Sequence, residues 1–170
     1  KNRLLLIDEP GRQWQDHRIE ELPGLLRPGD LLVVNDAATL PASFFARTEK
    51  GEPTEIRLVS RQAENRFLAV ILGAGNWRTR TEDRPDAPAL HPNEILQVEH
   101  SPLQARLIRY SPLSRRTVEL DFNLDEAGTW RELYRQGHPI QYSHLNRDLE
   151  LWDVQTSYAG RPWAMEMPSA

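Results

Sequence analysis

Apolar residues in this chain come in short runs, and turn-forming or charged residues interrupt each run before it reaches helical length. "RLLLID" (Arg3–Asp8) and "GDLLVVND" (Gly29–Asp36) are such runs, bounded by turn residues, and read as buried strands. A turn at Glu9-Pro10-Gly11 follows the first. Between them, "HRIEELPGLL" sets Ile19, Leu22 and Leu25 at helical spacing, and Pro23 limits it to a short or broken helix. Pro28-Gly29 turns the chain into the second run.

From Pro41 the pattern changes. "ASFFART", "TEIRLVSR", "RFLAVILG", "EILQVEH", "LQARLIRY" and "RRTVELDF" follow one another with no helical segment between them. Within the second, Glu55, Arg57 and Val59 alternate with Ile56, Leu58 and Ser60, the period of a strand with two different faces. A succession of short strands without crossovers predicts a small antiparallel barrel or sandwich. "GAGNWRTRTEDRPDAPALHP" carries too much Gly, Pro and charge for regular structure, and long loops of this kind are often functional. "DEAGTWRELYRQGH" then predicts a helix capped by Asp125 and ended at Gly137, with Trp130, Leu133 and Tyr134 on one face. The tail from Pro139 has no clean period of either kind. The predicted class is α+β: an antiparallel β-barrel over residues 41–122, inserted into an α/β domain built from residues 1–40 and 123–170 and incomplete in this chain.

Composition narrows the chemistry. With 39% hydrophobic and 27% charged residues the chain suits a folded, water-exposed protein, and no apolar run reaches the roughly 18 residues of a membrane helix. No export signal opens it, so the cytoplasm is the expected compartment and no membrane partner is expected. The absence of cysteine excludes disulfides, thiolate metal sites and a cysteine nucleophile. Five scattered histidines show no ligand spacing, so no metal is expected. A net charge of −4 argues against broad non-specific binding of nucleic acid. Two local basic groups remain, Arg78, Arg80 and Arg84 in the long loop and Arg106, Arg109, Arg115 and Arg116 on or beside strands. Their plain reading is a solvated face balanced by nearby Glu and Asp.

Three stretches resemble one known family. "LRPGDLLVVNDAATLPASFFAR" is similar to a family segment reading Leu-x-Pro-Gly-Asp-Leu-Leu-Val-x-Asn-Asn-Thr-Arg-Val-x-Pro-Ala-Arg, with matches at Pro28, Gly29, Asp30, Asn35, Pro41 and Ala42. "GHPIQYSHL" stands where the family has a glycine followed by Pro-Leu-Pro-Pro-Tyr-Ile. "VQTSYAGRPWAMEMPSA" aligns through Gln155, Thr156, Tyr158, Pro162, Ala164, Pro168 and Ala170. The chain thus resembles the S-adenosylmethionine:tRNA ribosyltransferase-isomerases of queuosine biosynthesis along its whole length. In that family the last motif continues into a further α/β portion, so the expectation is the N-terminal part of a longer enzyme; a natural short protein is the rival. The chain departs from the pattern at Ala38 and Ser43, where the family has arginines, at Asp36, at Gln141-Tyr142, and at Glu166, where the family has alanine.

The resemblance implies transfer and isomerisation of the ribosyl group of S-adenosylmethionine onto a 7-deazaguanine base in tRNA, giving epoxyqueuosine and releasing adenine and methionine. S-Adenosylmethionine would be the co-substrate and tRNA the partner. Such a reaction needs a base for a proton beside the sulfonium, a donor for the leaving adenine and a site that excludes water. Glu166, between Met165 and Met167, is the candidate base if its surroundings are apolar, since these disfavour the charged carboxylate; pairing with Arg161 is the structural alternative. Asp36, after a predicted strand, is the second candidate for chemistry, and with Asn35 is alternatively a turn cap. Tyr142 and Tyr158 offer rings for stacking, Gln155 a donor and an acceptor for a base edge, and His138 a proton shuttle, against core or capping roles for each. Pro41, Pro168 and Ser169 complete the expected binding surface. The loss of two arginines, which bind carboxylates or phosphates bidentately, favours a divergent paralogue that binds S-adenosylmethionine or a nucleoside but uses another acceptor, or has lost turnover. A plain nucleic-acid-binding barrel is the weakest reading.

Overall fold

The computed structural model describes residues 3–112 and 114–167. The chain divides into two compact units, residues 1–34 and 35–170.

In the first unit, β1 (Arg3–Asp8) pairs antiparallel with β2 (Gln13–Arg18), and Arg12 takes a positive φ of 47° in the turn between them. A 3-10 turn over Ile19–Glu21 runs into the single-turn helix α1 (Leu22–Leu25), where Pro23 sits at the start and removes only an amide that has no helical partner. β1 is a strand but not a buried one: Leu5 and Ile7 are 55% and 63% exposed. A two-stranded ribbon has no second layer of its own to cover a face. The predicted strand at Gly29–Asp36 is not formed among the described residues, and Leu31 and Val33 are 87% and 83% exposed. A short apolar run makes a segment ready to be a strand, but a ladder partner is what makes it one.

The second unit is organised by a closed antiparallel barrel. Its strands are β4 (Ser43–Arg47), β5 (Pro53–Arg61), β6 (Arg66–Leu72), β7 (Ile95–Val98), β8 (Gln104–Tyr110) and β9 (Thr117–Phe122), following a short β3 (Ala37–Thr39). Their order around the barrel is β4-β5-β6-β9-β8-β7, and β7 closes on β4 through Ala46–Val98 and Arg47–Gln97. All six predicted strands are therefore present, and closure leaves no barrel edge unpaired. Phe44, Ala46, Ile56, Leu58, Phe67, Leu96, Leu107 and Leu120 fill the interior, each 2% exposed or less. Phe67 meets Phe122 edge-on at 5.5 Å and Trp130 at 5.9 Å. Through Trp130 and Leu133 the helix α2 (Glu126–Gln136) caps this core, while Tyr134 stays half-exposed. Asp125 accepts the Gly128 amide at 2.8 Å, which is the predicted N-cap.

Gly137 ends α2 with an ordinary φ of −79°, so its glycine is a matter of space. A Cβ there would lie 2.4 Å from the Pro41 carbonyl oxygen and 2.5 Å from that of Leu133. The close approach lets His138 and Ser43 exchange both backbone hydrogen bonds, at 2.7 and 2.9 Å, which stitches the chain leaving α2 onto the start of β4. At the far end of the tail, β10 (Arg161–Ala164) pairs parallel with β3. The segments on either side of the barrel thus meet in one small sheet.

Candidate active site

Alternation along β4 and β5 sends Phe44, Ala46, Ile56 and Leu58 inward, and Ser43, Phe45, Glu55 and Arg57 outward. These outward residues are cross-strand neighbours, Ser43 opposite Arg57 and Phe45 opposite Glu55. Water would normally cover such a face. Here the loop 73–91 and the segment 137–150 cover it instead, and Glu55 and Arg57 are only 3% and 8% exposed. Glu55 Oε1 accepts from Ser43 Oγ at 2.7 Å and from Arg57 Nε at 2.6 Å, while Oε2 accepts from Arg84 Nη1 at 2.5 Å. Burial alone would raise the Glu55 carboxyl, but the bonds from Arg57 and Ser43 and the two guanidinium charges hold it below the ordinary carboxylate value.

Ser43 and Glu55 of this cluster line a cavity of about 340 Å³ together with Phe45, Trp77, His138, Gln141 and Asp148. Phe45 and His138 flank each other with ring centroids 6.4 Å apart. The Trp77 indole N–H donates to Asp148, and Arg78 pairs with the same carboxylate at 3.2 Å, so the long loop is tied to the tail across the cavity mouth. A second cleft of about 290 Å³ adjoins Arg57 and Gln141 and is lined by Arg80, Tyr142 and His144. The Tyr142 ring stacks on His144 at 6.2 Å and 9°, and the Arg57 guanidinium lies 5.6 Å from its centroid.

The residues singled out from sequence fall into separate groups. Tyr142 donates its hydroxyl to Glu166 at 2.9 Å. Burial, and the Glu166 bond and charge, raise the phenol above its usual value, with Arg57 opposing. Glu166 is exposed rather than enclosed by methionines, and its partner is this phenol, while Arg161 pairs with Asp36 at 2.9 Å and packs on Trp163. The physical reason is that Met165 turns toward the barrel core, leaving its neighbour facing solvent. The Asp36 carbonyl receives the Gly160 and Arg161 amides, and the Asn35 side chain accepts the Ala37 amide at 3.0 Å, a turn-capping bond. The Gln155 amide bonds both the N–H and the C=O of Thr39, at 2.9 and 2.8 Å, so its donor and acceptor are engaged by backbone. Pro41 is buried beneath Gly137, His138 lines the larger cavity, and Tyr158 is 51% exposed and lines neither. Pro168 and Ser169 lie outside the described residues.

Sequence reasoning missed Ser43, Glu55, Arg57 and Arg84 as a unit. The signal was partly legible, because Glu55 and Arg57 share a face on a strand whose other face carries Ile56 and Leu58. Their burial was not, since it depends on a loop that returns 29 residues later. The arginines on β8 are neutralised as the plain reading expected: Arg106 pairs with Asp121 at 2.8 Å and Arg109 with Glu119 at 2.6 Å. Among the described residues no helix is long and apolar enough to cross a membrane.

The family profile described as "Queuosine biosynthesis protein" matches residues 1–170. The chain belongs to this family. Its relatives include S-adenosylmethionine:tRNA ribosyltransferase-isomerases from Acidithiobacillus ferrooxidans, 46% identical over 99% of this chain and 44% of the relative, and from Gloeobacter violaceus, 39% identical over 99% of this chain and 43% of the relative. That of Thermosynechococcus vestitus is 31% identical over the full chain and 44% of its own length. The queuosine family chain thus spans less than half the length of the curated relatives it matches. A solved structure, the S-adenosylmethionine tRNA ribosyltransferase of Thermotoga maritima, is 21% identical over 81% of this chain and 41% of its own, with a TM-score of 0.39.

Proposed function

We propose that the protein acts in queuosine biosynthesis as an S-adenosylmethionine-dependent tRNA ribosyltransferase-isomerase of the cytoplasm. It would transfer and rearrange the ribosyl group onto a 7-deazaguanine base in tRNA, form epoxyqueuosine, and release adenine and methionine. The observation that carries this reading is the match to the family over residues 1–170, with a relative of that name 46% identical over 99% of this chain and 44% of its own length. The parallel pairing of β3 with β10 supports an insertion layout, in which the chain on either side of the barrel, residues 41–122, belongs to one domain.

In this reading the nucleoside part of the co-substrate occupies the cavity between Phe45, His138 and Trp77, where rings and a half-enclosed volume exclude water. His138, the imidazole in that lining, is the proposed proton shuttle. Tyr142 and Glu166 form the pair that faces the incoming base, with Arg57 over the ring and the phenol directing the carboxylate. Asn35, Asp36, Gln155 and Thr39 hold the β3–β10 junction, through the Asn35 bond to the Ala37 amide, the Asp36–Arg161 pair and the two Gln155 bonds to Thr39.

A second reading is a paralogue that binds S-adenosylmethionine but uses another acceptor or has lost turnover. Ala38 and Ser43 favour it, since Ser43 spends its hydroxyl on Glu55 and offers no charge to an anion. One assay separates the two. The complete protein is incubated with S-adenosylmethionine and tRNA carrying the deazaguanine precursor, and adenine is followed by chromatography. Adenine release that requires this tRNA supports the first reading; cofactor binding without release on this tRNA rejects it in favour of the second.

A further inference from the structure

Arg57 is the one member of the Glu55 cluster that also lines the smaller cleft of about 290 Å³. Its side chain is 10% exposed, and among the described residues its guanidinium hydrogen-bonds to Glu55 alone, through Nε. Glu55 thus holds the planar group from one side, while Nη1 and Nη2 have no protein acceptor among the described residues. Largely desolvated charged donors left unmatched are costly, and an anion in the cleft relieves them. The rest of the lining adds donors. Thr79 and Thr81 come from the long loop and Ser143 from the tail, and their hydroxyls make no hydrogen bond among the described residues. Glu82, the carboxylate in the lining, is taken by Arg80 at 2.6 Å, in an exposed pair of the kind that exchanges partners at little cost.

We propose that this cleft binds a phosphodiester group of the RNA backbone. A guanidinium backed by hydroxyl donors from two separate segments suits a tetrahedral anion whose oxygens point several ways, whereas a planar carboxylate is satisfied by one guanidinium edge. Such a contact positions a nucleic-acid strand without reading its sequence. Thr79, Arg80, Ser143 and His144 are exposed, so a chain can continue past the cleft on both sides, as a diester requires. Trp77 and Gln141 line both this cleft and the 340 Å³ cavity, so a phosphate held here sits beside the group that enters the cavity. The identity of the guest rests on the proposed function, in which tRNA is the acceptor: the cleft holds the strand next to the target nucleotide while Tyr142, in the same lining, faces its base.

The test uses the complete protein, tRNA carrying the deazaguanine precursor, and three variants whose urea midpoints first establish that each is folded. Ser143→Asp puts a carboxylate on the rim in competition with the phosphate, Arg57→Lys keeps the charge and removes the planar donor group, and Arg109→Ala removes a cation from the solvated barrel face as a control. Fluorescence anisotropy measures tRNA binding across a series of KCl concentrations, and calorimetry measures S-adenosylmethionine binding. Thermal melting compares inorganic phosphate with chloride at equal ionic strength. S143D and R57K should each weaken tRNA binding by about tenfold or more, as the loss of one charge-assisted bond implies. S143D should also reduce the slope of log affinity against log salt by about one and leave S-adenosylmethionine binding unchanged. R109A should leave both ligands unaffected. Affinity for tRNA that is unmoved in S143D or R57K, or that S143D loses in step with affinity for S-adenosylmethionine, overturns the site. So does stabilisation by inorganic phosphate that S143D abolishes while tRNA binding persists, which assigns the cleft to the free anion. A wild type that binds this tRNA without releasing adenine defeats the proposed activity and leaves the cleft to be decided by the binding arms; a wild type that binds no tRNA overturns the cleft.

Discussion

The two faces of β5 carry the two halves of this protein's physics. Ile56 and Leu58 point into the barrel and Glu55 and Arg57 point out of it, yet all four are buried. The inner pair is covered by the barrel itself, through contacts that strand pairing makes unavoidable. The outer pair is covered by a loop and a tail that arrive from other parts of the chain, through Arg84 and Tyr142. The inner face is stabilised by apolar area and packing, which tolerate substitution in proportion to volume. The outer face depends on charge pairing, where removing one partner leaves others buried and unmatched. The core makes the fold stable, and the covered polar face forms part of the lining of the candidate site.

Substitutions on the two faces should separate these contributions. Phe67→Ala opens the core beside Phe122 and Trp130 and should cost about 3–5 kcal/mol, read as a lowered urea midpoint with the m-value unchanged. A loss below about 1 kcal/mol would mean the interior is loosely packed. On the outer face, Glu55→Gln leaves both guanidiniums without a carboxylate and should destabilise by about 3 kcal/mol at pH 7. Because the folded Glu55 is depressed, its contribution is complete above the unfolded carboxylate value of about 4.3 and is lost as pH falls through the lower folded value. The gap between wild type and E55Q should therefore be widest near neutrality and narrow below about pH 4; a gap that is flat with pH would remove the ionic account.

Gly137→Ala forces a methyl against the Pro41 carbonyl and should cost about 1–3 kcal/mol. Its sharper consequence is local: the Ser43–His138 bridge should loosen, visible as faster amide exchange at both residues. Tyr142→Phe removes one half-exposed hydrogen bond to Glu166 and should change stability by about 1 kcal/mol or less. If the proposed active site is right, the same variant lowers kcat for adenine release much more than it lowers stability. Arg109→Ala, which breaks an exposed pair with Glu119, should stay within about 0.5 kcal/mol of wild type. Each of these last two breaks one side-chain pair with a glutamate, one beside the smaller cleft and the other on a solvated barrel face.

Local pattern carried much of the fold. The six barrel strands, the helix cap at Asp125 and the short helix at Pro23 follow from alternation and from residues whose preferences act over a few positions. The same logic overreached at Gly29–Asp36, where the apolar pattern is strand-like but no neighbour among the described residues completes a ladder, and at Arg3–Asp8, which is a strand without being buried. Of the residues singled out from sequence, His138 and Tyr142 line the two cavities and Glu166 bonds Tyr142, whereas the side chains of Gln155 and Asn35 bond the backbone of Thr39 and Ala37. It could not single out Arg84 from the other arginines of its loop. Arg80 and Arg84 sit in the same charged run, and one is paired at the surface while the other is sealed behind a glycine.

The sequence by itself determined the barrel, because strand periodicity and turn residues act within a few positions, and it determined the family, because matching residues run the length of the chain. Only the tertiary structure decided which polar residues leave water. Burial of Glu55, Arg57 and Arg84 is a property of surfaces brought together from residues 43, 55, 84 and 142, and the energy of a charge depends on what encloses it rather than on what precedes it in the chain.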